Sequence, residues 1–172
     1  ILGAGFTGIV NSDRYSAYNW LALGQRQLCW AHLKRDFTKI AERSGVSREL
    51  GEALLKQHQK LFELWHRVRD GTLERTQFIL DVAPIRTRVQ ELLTEGAAYT
   101  IGDGEKTPLA KTARTCQQLL KVEPAFWLFV TLEGIDPTNN AAEQAIRPAV
   151  LWRRCSYGSQ SAAGSLFVGR MM

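Results

Sequence analysis

Between residues 54 and 92 the apolar side chains recur in steps of four and three, and that period dictates helices. Leu54, His58, Leu61, Trp65 and Val68 form one series, and Phe78, Val82, Ile85, Val89 and Leu92 form the next. At the helical repeat each series falls on one stripe, and each stripe needs a partner face to bury it. Asp70-Gly71 marks the turn between them. Pro84 sits inside the second series and is expected to kink or split that helix. Further on, Thr107-Pro108 reads as an N-cap with proline at the first helical position. Leu109, Thr112, Cys116 and Leu119 give that helix its buried stripe. Pro124 then opens another helix, Ala125 to Leu132, that is apolar nearly all round and so belongs at the centre. Residues 46–133 therefore read as one all-helical region.

The two ends have a different pattern. Phe6 to Val10 is short, apolar and β-branched, and it stops at Asn11-Ser12-Asp13. This predicts a buried strand with Asp13 at its C-terminal end. Tyr15, Tyr18 and Trp20 to Leu23 suggest a short helix closed by Gly24, and Gln25 to Cys29 is a second strand. A basic amphipathic helix is expected from Trp30 to about Glu42, with Leu33, Phe37 and Ile40 inward and Gly45 at its end. At the other end, residues 136–140 form a turn and helix start. Ala141 to Arg147 is a short helix, curtailed or kinked near Pro148. Residues 158–164 are rich in Gly, Ser and Ala and read as a loop before a last helix near Leu166. The fold class is α/β but mostly helical, with segments 1–45 and 134–172 flanking the helical region.

Charge follows the same division. The 172 residues carry a net charge of +5, with +4 in residues 1–48, −1 in 49–133 and +2 in 134–172. Basic ends around a neutral middle suit a shared anionic partner, although solvated helix faces give the same distribution. Cys29, Cys116 and Cys155 are too few and too scattered for a disulfide scaffold. No apolar run reaches membrane-spanning length, and the first residues lack a signal-peptide pattern. A cytoplasmic protein without a membrane partner is expected. The chain begins at Ile1 rather than Met, which reads as an excerpt or remnant of something longer.

Three groups of residues could carry chemistry. Asp13, at a strand end, sits where α/β sheets place their active sites, although acidic residues also end strands for turn reasons. Glu143 fits a capping box with Asn140, and it also stands four residues from Arg147. Against that local role, Asn139, Asn140, Arg147, Arg153 and Arg154 gather around this one carboxylate. Such a cluster suits phosphate contacts beside a metal ligand. Cys29 and His32 share a helical face. Two ligands fall short of a structural zinc site, and a buried pair or a cysteine nucleophile are the other readings.

The residues quoted so far also match a family in order and spacing. Phe6-x-Gly-x-Val-x-Ser-Asp13-x-Tyr-x-Ala-Tyr18, followed by Gln27-Leu-Cys29-Trp-Ala-His32-Leu33-x-Arg-Asp-Phe37, resembles transposases of the insertion-sequence-sixty-six type. So does Thr138-Asn-Asn-Ala-Ala-Glu143-x-x-Ile-Arg147-Pro148, followed by Arg153-Arg154-x-Ser156-x-Gly158-x-x-Ser161. The resemblance implies a ribonuclease H-like catalytic core with a triad of two aspartates and a glutamate. Asp13 falls on the second aspartate and Glu143 on the glutamate. The Cys29–His32 pair falls on a signature found between those acids. The 129 residues that separate the two carboxylates exceed what a bare core of that kind needs, and a large all-helical insertion over 46–133 explains the surplus.

The implied activity is DNA cleavage and strand transfer at transposon ends. Two Mg²⁺ ions held by carboxylates would activate the attacking oxygen and stabilise the leaving one. Asp13 and Glu143 would hold metal, and Lys34, Arg35, Asn139, Asn140, Arg147, Arg153 and Arg154 would contact DNA. The implied partners are DNA at transposon ends and targets and further copies of the chain in a homo-oligomer. Thr138, Gln144 and Arg154 depart from the usual residues of the family, which bears on the DNA contacts. No strand precedes Phe6 to carry the first aspartate, so the chain by itself is expected to be an inactive C-terminal portion. The reading from a different class is a non-catalytic helical module for DNA binding or assembly.

Overall fold

The structure is a computed structural model that describes residues 5–155 and 161–171, with side chains for 5–152 and 161–170. Among these residues two short strands precede seven helices. The strands are β1 (Val10–Ser12) and β2 (Arg26–Leu28). The helices are α1 (Trp30–Ala41), α2 (Val46–Arg69), α3 (Arg75–Ala97) and α4 (Pro108–Leu120), then α5 (Leu128–Thr131), α6 (Asn140–Cys155) and α7 (Ala162–Met171). The chain divides into two compact units, Ile1–Pro137 and Thr138–Met172.

The stripes in the first unit pack as their period requires. Leu54, His58, Leu61 and Trp65 of α2 are buried, and so are Phe78, Val82, Ile85, Val89 and Leu92 of α3. Leu33, Phe37 and Ile40 of α1 join the same core. Gly45 breaks the chain between α1 and α2 with a φ of 61°, a conformation open to glycine at little cost. Gly51 lets α2 lie against the end of α1, because a Cβ there would meet the Ala41 backbone nitrogen at 2.2 Å. Thr107 caps α4 by accepting from the Ala110 amide at 3.2 Å.

Trp30 is the hub of this core. Its ring meets Phe126 and Trp127 edge-on, with centroids at 6.0 and 5.1 Å. Its indole Nε1 donates to the Phe126 carbonyl at 2.8 Å. Gln27, buried in β2, reaches the same segment. Its Nε2 donates to the Phe126 carbonyl at 3.0 Å, and its Oε1 accepts from the Phe129 amide at 2.9 Å. The central segment thus locks the small sheet to the helices.

Several expectations need correction. The first strand lies at Val10–Ser12 rather than at Phe6 to Val10, because pairing with β2 begins only at Val10. The short helix around Tyr15 to Leu23 is two 3-10 turns, Ser16–Tyr18 and Leu23–Gln25, and Trp20 is 65% exposed. Pro84 does not split α3, which runs through it. Leu80 and Pro84 both face solvent, so the carbonyl deprived of its amide donor meets water. Pro148 likewise lies inside α6 and does not curtail it. The segment from Ala125 to Leu132 is central, but it is a 3-10 turn, Glu123–Phe126, and the short α5, broken at Trp127. The buried stripe of α4 starts at Ala110, while Leu109 remains exposed. Of the Gly-rich loop expected at 158–164, residues 158–160 lie outside the described residues, and 162–164 belong to the start of α7 instead.

Candidate active site

β1 and β2 pair in parallel, with Val10 opposite Arg26, Asn11 opposite Gln27 and Ser12 opposite Leu28. The Cys29 amide donates to the Ser12 carbonyl at 2.8 Å and closes the ladder. Asp13 therefore stands one residue beyond the C-terminal end of β1. It is half-buried, and its Oδ1 accepts from the Tyr15 amide at 2.9 Å, a local turn that fixes the carboxylate. Oδ2 has no hydrogen-bond partner among the described residues. Both readings of Asp13 thus coexist: one oxygen makes the turn and the other is available to a ligand.

Arg26 organises this strand end, and sequence reasoning missed it. The side chain is 2% exposed. Its Nε donates to Ser12 Oγ at 3.0 Å, and Nη2 donates to the Asp13 carbonyl at 2.8 Å. Nη1 donates to Asn19 Oδ1 at 3.2 Å. The guanidinium also lies 5.7 Å from the Tyr18 ring centroid. Burial lowers the Arg26 pKa, and the charges of Asp13 and Tyr18 oppose that shift. The signal in the sequence was a charged residue inside a predicted strand, a group that must find partners wherever the strand is buried.

Cys29 is the N-cap residue of α1 and is 1% exposed, which leaves no surface for a substrate to reach its sulfur. Burial pushes the Cys116 thiol up to about 11. Neither cysteine is placed as a nucleophile. His32 lies one turn into α1, with Nε2 at 3.4 Å from Arg35 Nη1. Lys34 and Arg35 are exposed on the outer face of α1. Asp36, from the same helix, pairs with Arg14 at 2.8 Å.

In the second unit, α6 starts at Asn140 and the Glu143 amide donates to the Asn139 carbonyl at 3.0 Å. Asn139 thus holds the cap position, and Glu143 is the fourth helical residue rather than the third that a capping box uses. Asn140, Glu143, Gln144 and Arg147 line one concave patch of about 460 Å³ along α6. Arg153 and Arg154 continue this helix, but their side chains lie outside the described residues. Asp13 and Glu143 belong to different units. No cluster of three His, Cys, Asp or Glu side chains occurs among the described residues. No helix among them is long and apolar enough to cross a membrane.

Comparison with known proteins adds what geometry leaves open. The profile described as "Transposase IS66 family" matches residues 1–166. Two similar proteins come from Sinorhizobium fredii (strain NBRC 101917 / NGR234). Uncharacterized protein y4qI is 29% identical over 174 residues, covering 94% of this chain and 31% of its own length. Uncharacterized protein y4hP is 24% identical over 173 residues, covering 88% of this chain and 30% of its own length. The chain spans less than a third of the length of these curated relatives. No solved structure matches. With the profile covering both ends and the helical middle, the chain belongs to the IS66 family of transposases.

Proposed function

We propose that this chain supplies part of the catalytic unit of a DNA transposase, which cleaves DNA and joins strands at transposon ends. The observation that carries the reading is the family match across residues 1–166 together with Asp13 at the C-terminal end of a parallel strand. The core would be ribonuclease H-like, with residues 1–45 and 134–172 contributing to it and 46–133 inserted. Support for the core comes from β1, β2 and α1 following in sequence with a carboxylate at the strand end.

Asp13 and Glu143 offer hard carboxylate oxygens of the kind Mg²⁺ takes, and Asp13 Oδ2 has no competing hydrogen bond among the described residues. Bound Mg²⁺ would lower the pKa of an attacking water or hydroxyl and stabilise the leaving oxygen. The chain's own residues do the rest. The Tyr15 amide and Arg26 hold the Asp13 turn in place. Lys34, Arg35, Asn139, Asn140, Arg147, Arg153 and Arg154 would bind phosphates and set the register of the DNA. Cytoplasmic location and assembly as a homo-oligomer belong to the same proposal.

A non-catalytic module for DNA binding or assembly is the second reading. It is favoured by the exposed Ile146, Leu151 and Trp152 on α6 and the exposed Leu166 and Phe167 on α7. The two readings separate in a full-length family member that carries this segment. The catalytic reading expects Mg²⁺-dependent cleavage that Asp13→Ala or Glu143→Ala abolishes while DNA binding is retained. Unchanged cleavage by either variant overturns the assignment.

A further inference from the structure

Arg26 is buried, and the Asp13 charge acts on its guanidinium only from beyond contact distance. No carboxylate lies within ion-pair distance of it among the described residues. A guanidinium has five N–H donors. Nε is engaged by Ser12, Nη2 by the Asp13 and Tyr15 carbonyls, and Nη1 by Asn19, which leaves one Nη1 hydrogen without a partner. A buried cation without a contacting counter-ion is costly, so such groups are normally paired or bind a ligand.

The same side chain lines a concave site of about 400 Å³, together with Arg14, Ser16, Asn19, Gln118 and Lys121. This wall holds three cations and no carboxylate. Arg14 is already paired with Asp36 at 2.8 Å. Lys121 is exposed and in no ion pair among the described residues. Ser16, Asn19 and Gln118 add neutral donors. A donor-rich site with no acid in its lining, built around a guanidinium that touches no carboxylate, fits an anion with several oxygens. Its volume accepts a sugar-phosphate rather than an ion alone.

We propose that this site binds a phosphodiester of the DNA backbone next to Asp13. The inference rests on the proposed DNA substrate. It gives Lys121, at the end of α4, a direct role in binding, so the helical middle helps to build the DNA-facing surface. Arg26 ties the two together, because it lines the site and holds the Asp13 carbonyl.

The test measures binding of the 172-residue chain to a fluorescent DNA duplex in chelator, across a salt series. Lys121→Gln is expected to weaken binding several-fold and to lower the salt slope by about one. Lys56→Gln makes the same charge change at an exposed position of α2 outside the site and is expected to change neither. Equal effects of the two variants, no effect of Lys121→Gln, or no binding by the unaltered chain overturns the proposal. Inorganic phosphate that displaces the duplex at matched ionic strength also overturns it, in favour of a free-phosphate site. Because the assay reads binding without metal, it can fail while the cleavage reading stands, and the reverse.

Discussion

His58 and Gly51 show how single residues carry the fold. His58 is buried against Phe62, with ring centroids at 4.4 Å, and against Trp30 at 6.0 Å. Burial, reinforced by the Lys34 charge, pushes its pKa down from 6.5 to about 4. The unfolded chain therefore binds more protons than the native one between those values. The native state is fully favoured above pH 6.5 and loses stability as pH falls towards 4. That loss amounts to roughly 3 kcal/mol. Urea denaturation at neutral and mildly acidic pH checks it: His58→Leu should show a smaller loss than the unaltered protein, and an identical pH dependence contradicts the assignment. Gly51→Ala should lower stability by about 1–3 kcal/mol, read from thermal melts, because the new methyl meets the Ala41 backbone rather than a yielding side chain. His58 was legible as a stripe position in the sequence, and Asp13 as a strand end. Arg26 and Gln27 were not legible as organisers. Their partners, the Asp13 carbonyl and the Phe126 and Phe129 backbone, are distant in sequence or supplied by main chain that has no residue signature.

At the scale of elements, period decides what the sequence reveals. The helices α1, α2 and α3 were readable because their apolar stripes run for three turns or more, and such stripes can be buried in one way only. Short elements were not. β1 has three residues, and its limits are set by where β2 begins to pair rather than by its own side chains. Prolines misled in both long helices. Pro84 and Pro148 remove a hydrogen bond, yet each sits on an exposed face where water takes the orphaned carbonyl. A local rule about helix breakers therefore yields to solvent access. This account predicts that Pro84→Ala stabilises the protein by about 2 kcal/mol, since alanine restores the helical bond and loses only some restriction of the unfolded chain. Chemical denaturation checks it. A destabilised variant would contradict it.

For the whole molecule, the two candidate carboxylates lie on opposite sides of the boundary near Pro137, one in each unit. Sequence motifs point to both as candidates, where local pattern by itself leaves a capping role and a turn role open. The fold around Asp13 is small: two parallel strands, one helix, and a clamp made by Arg26. The helical region packs on it through Trp30 and the Phe126 segment, so the region from 46 to 133 also buttresses β2, the partner of the strand that ends just before Asp13. The central claim is that Asp13 is a metal ligand for DNA cleavage. Its most direct test is metal rescue in a full-length family member that carries this segment. Asp13→Cys replaces a hard oxygen with a soft sulfur, so cleavage of transposon-end DNA should be lost in Mg²⁺ and recovered in Mn²⁺. Undiminished cleavage by Asp13→Cys in Mg²⁺ would contradict the claim.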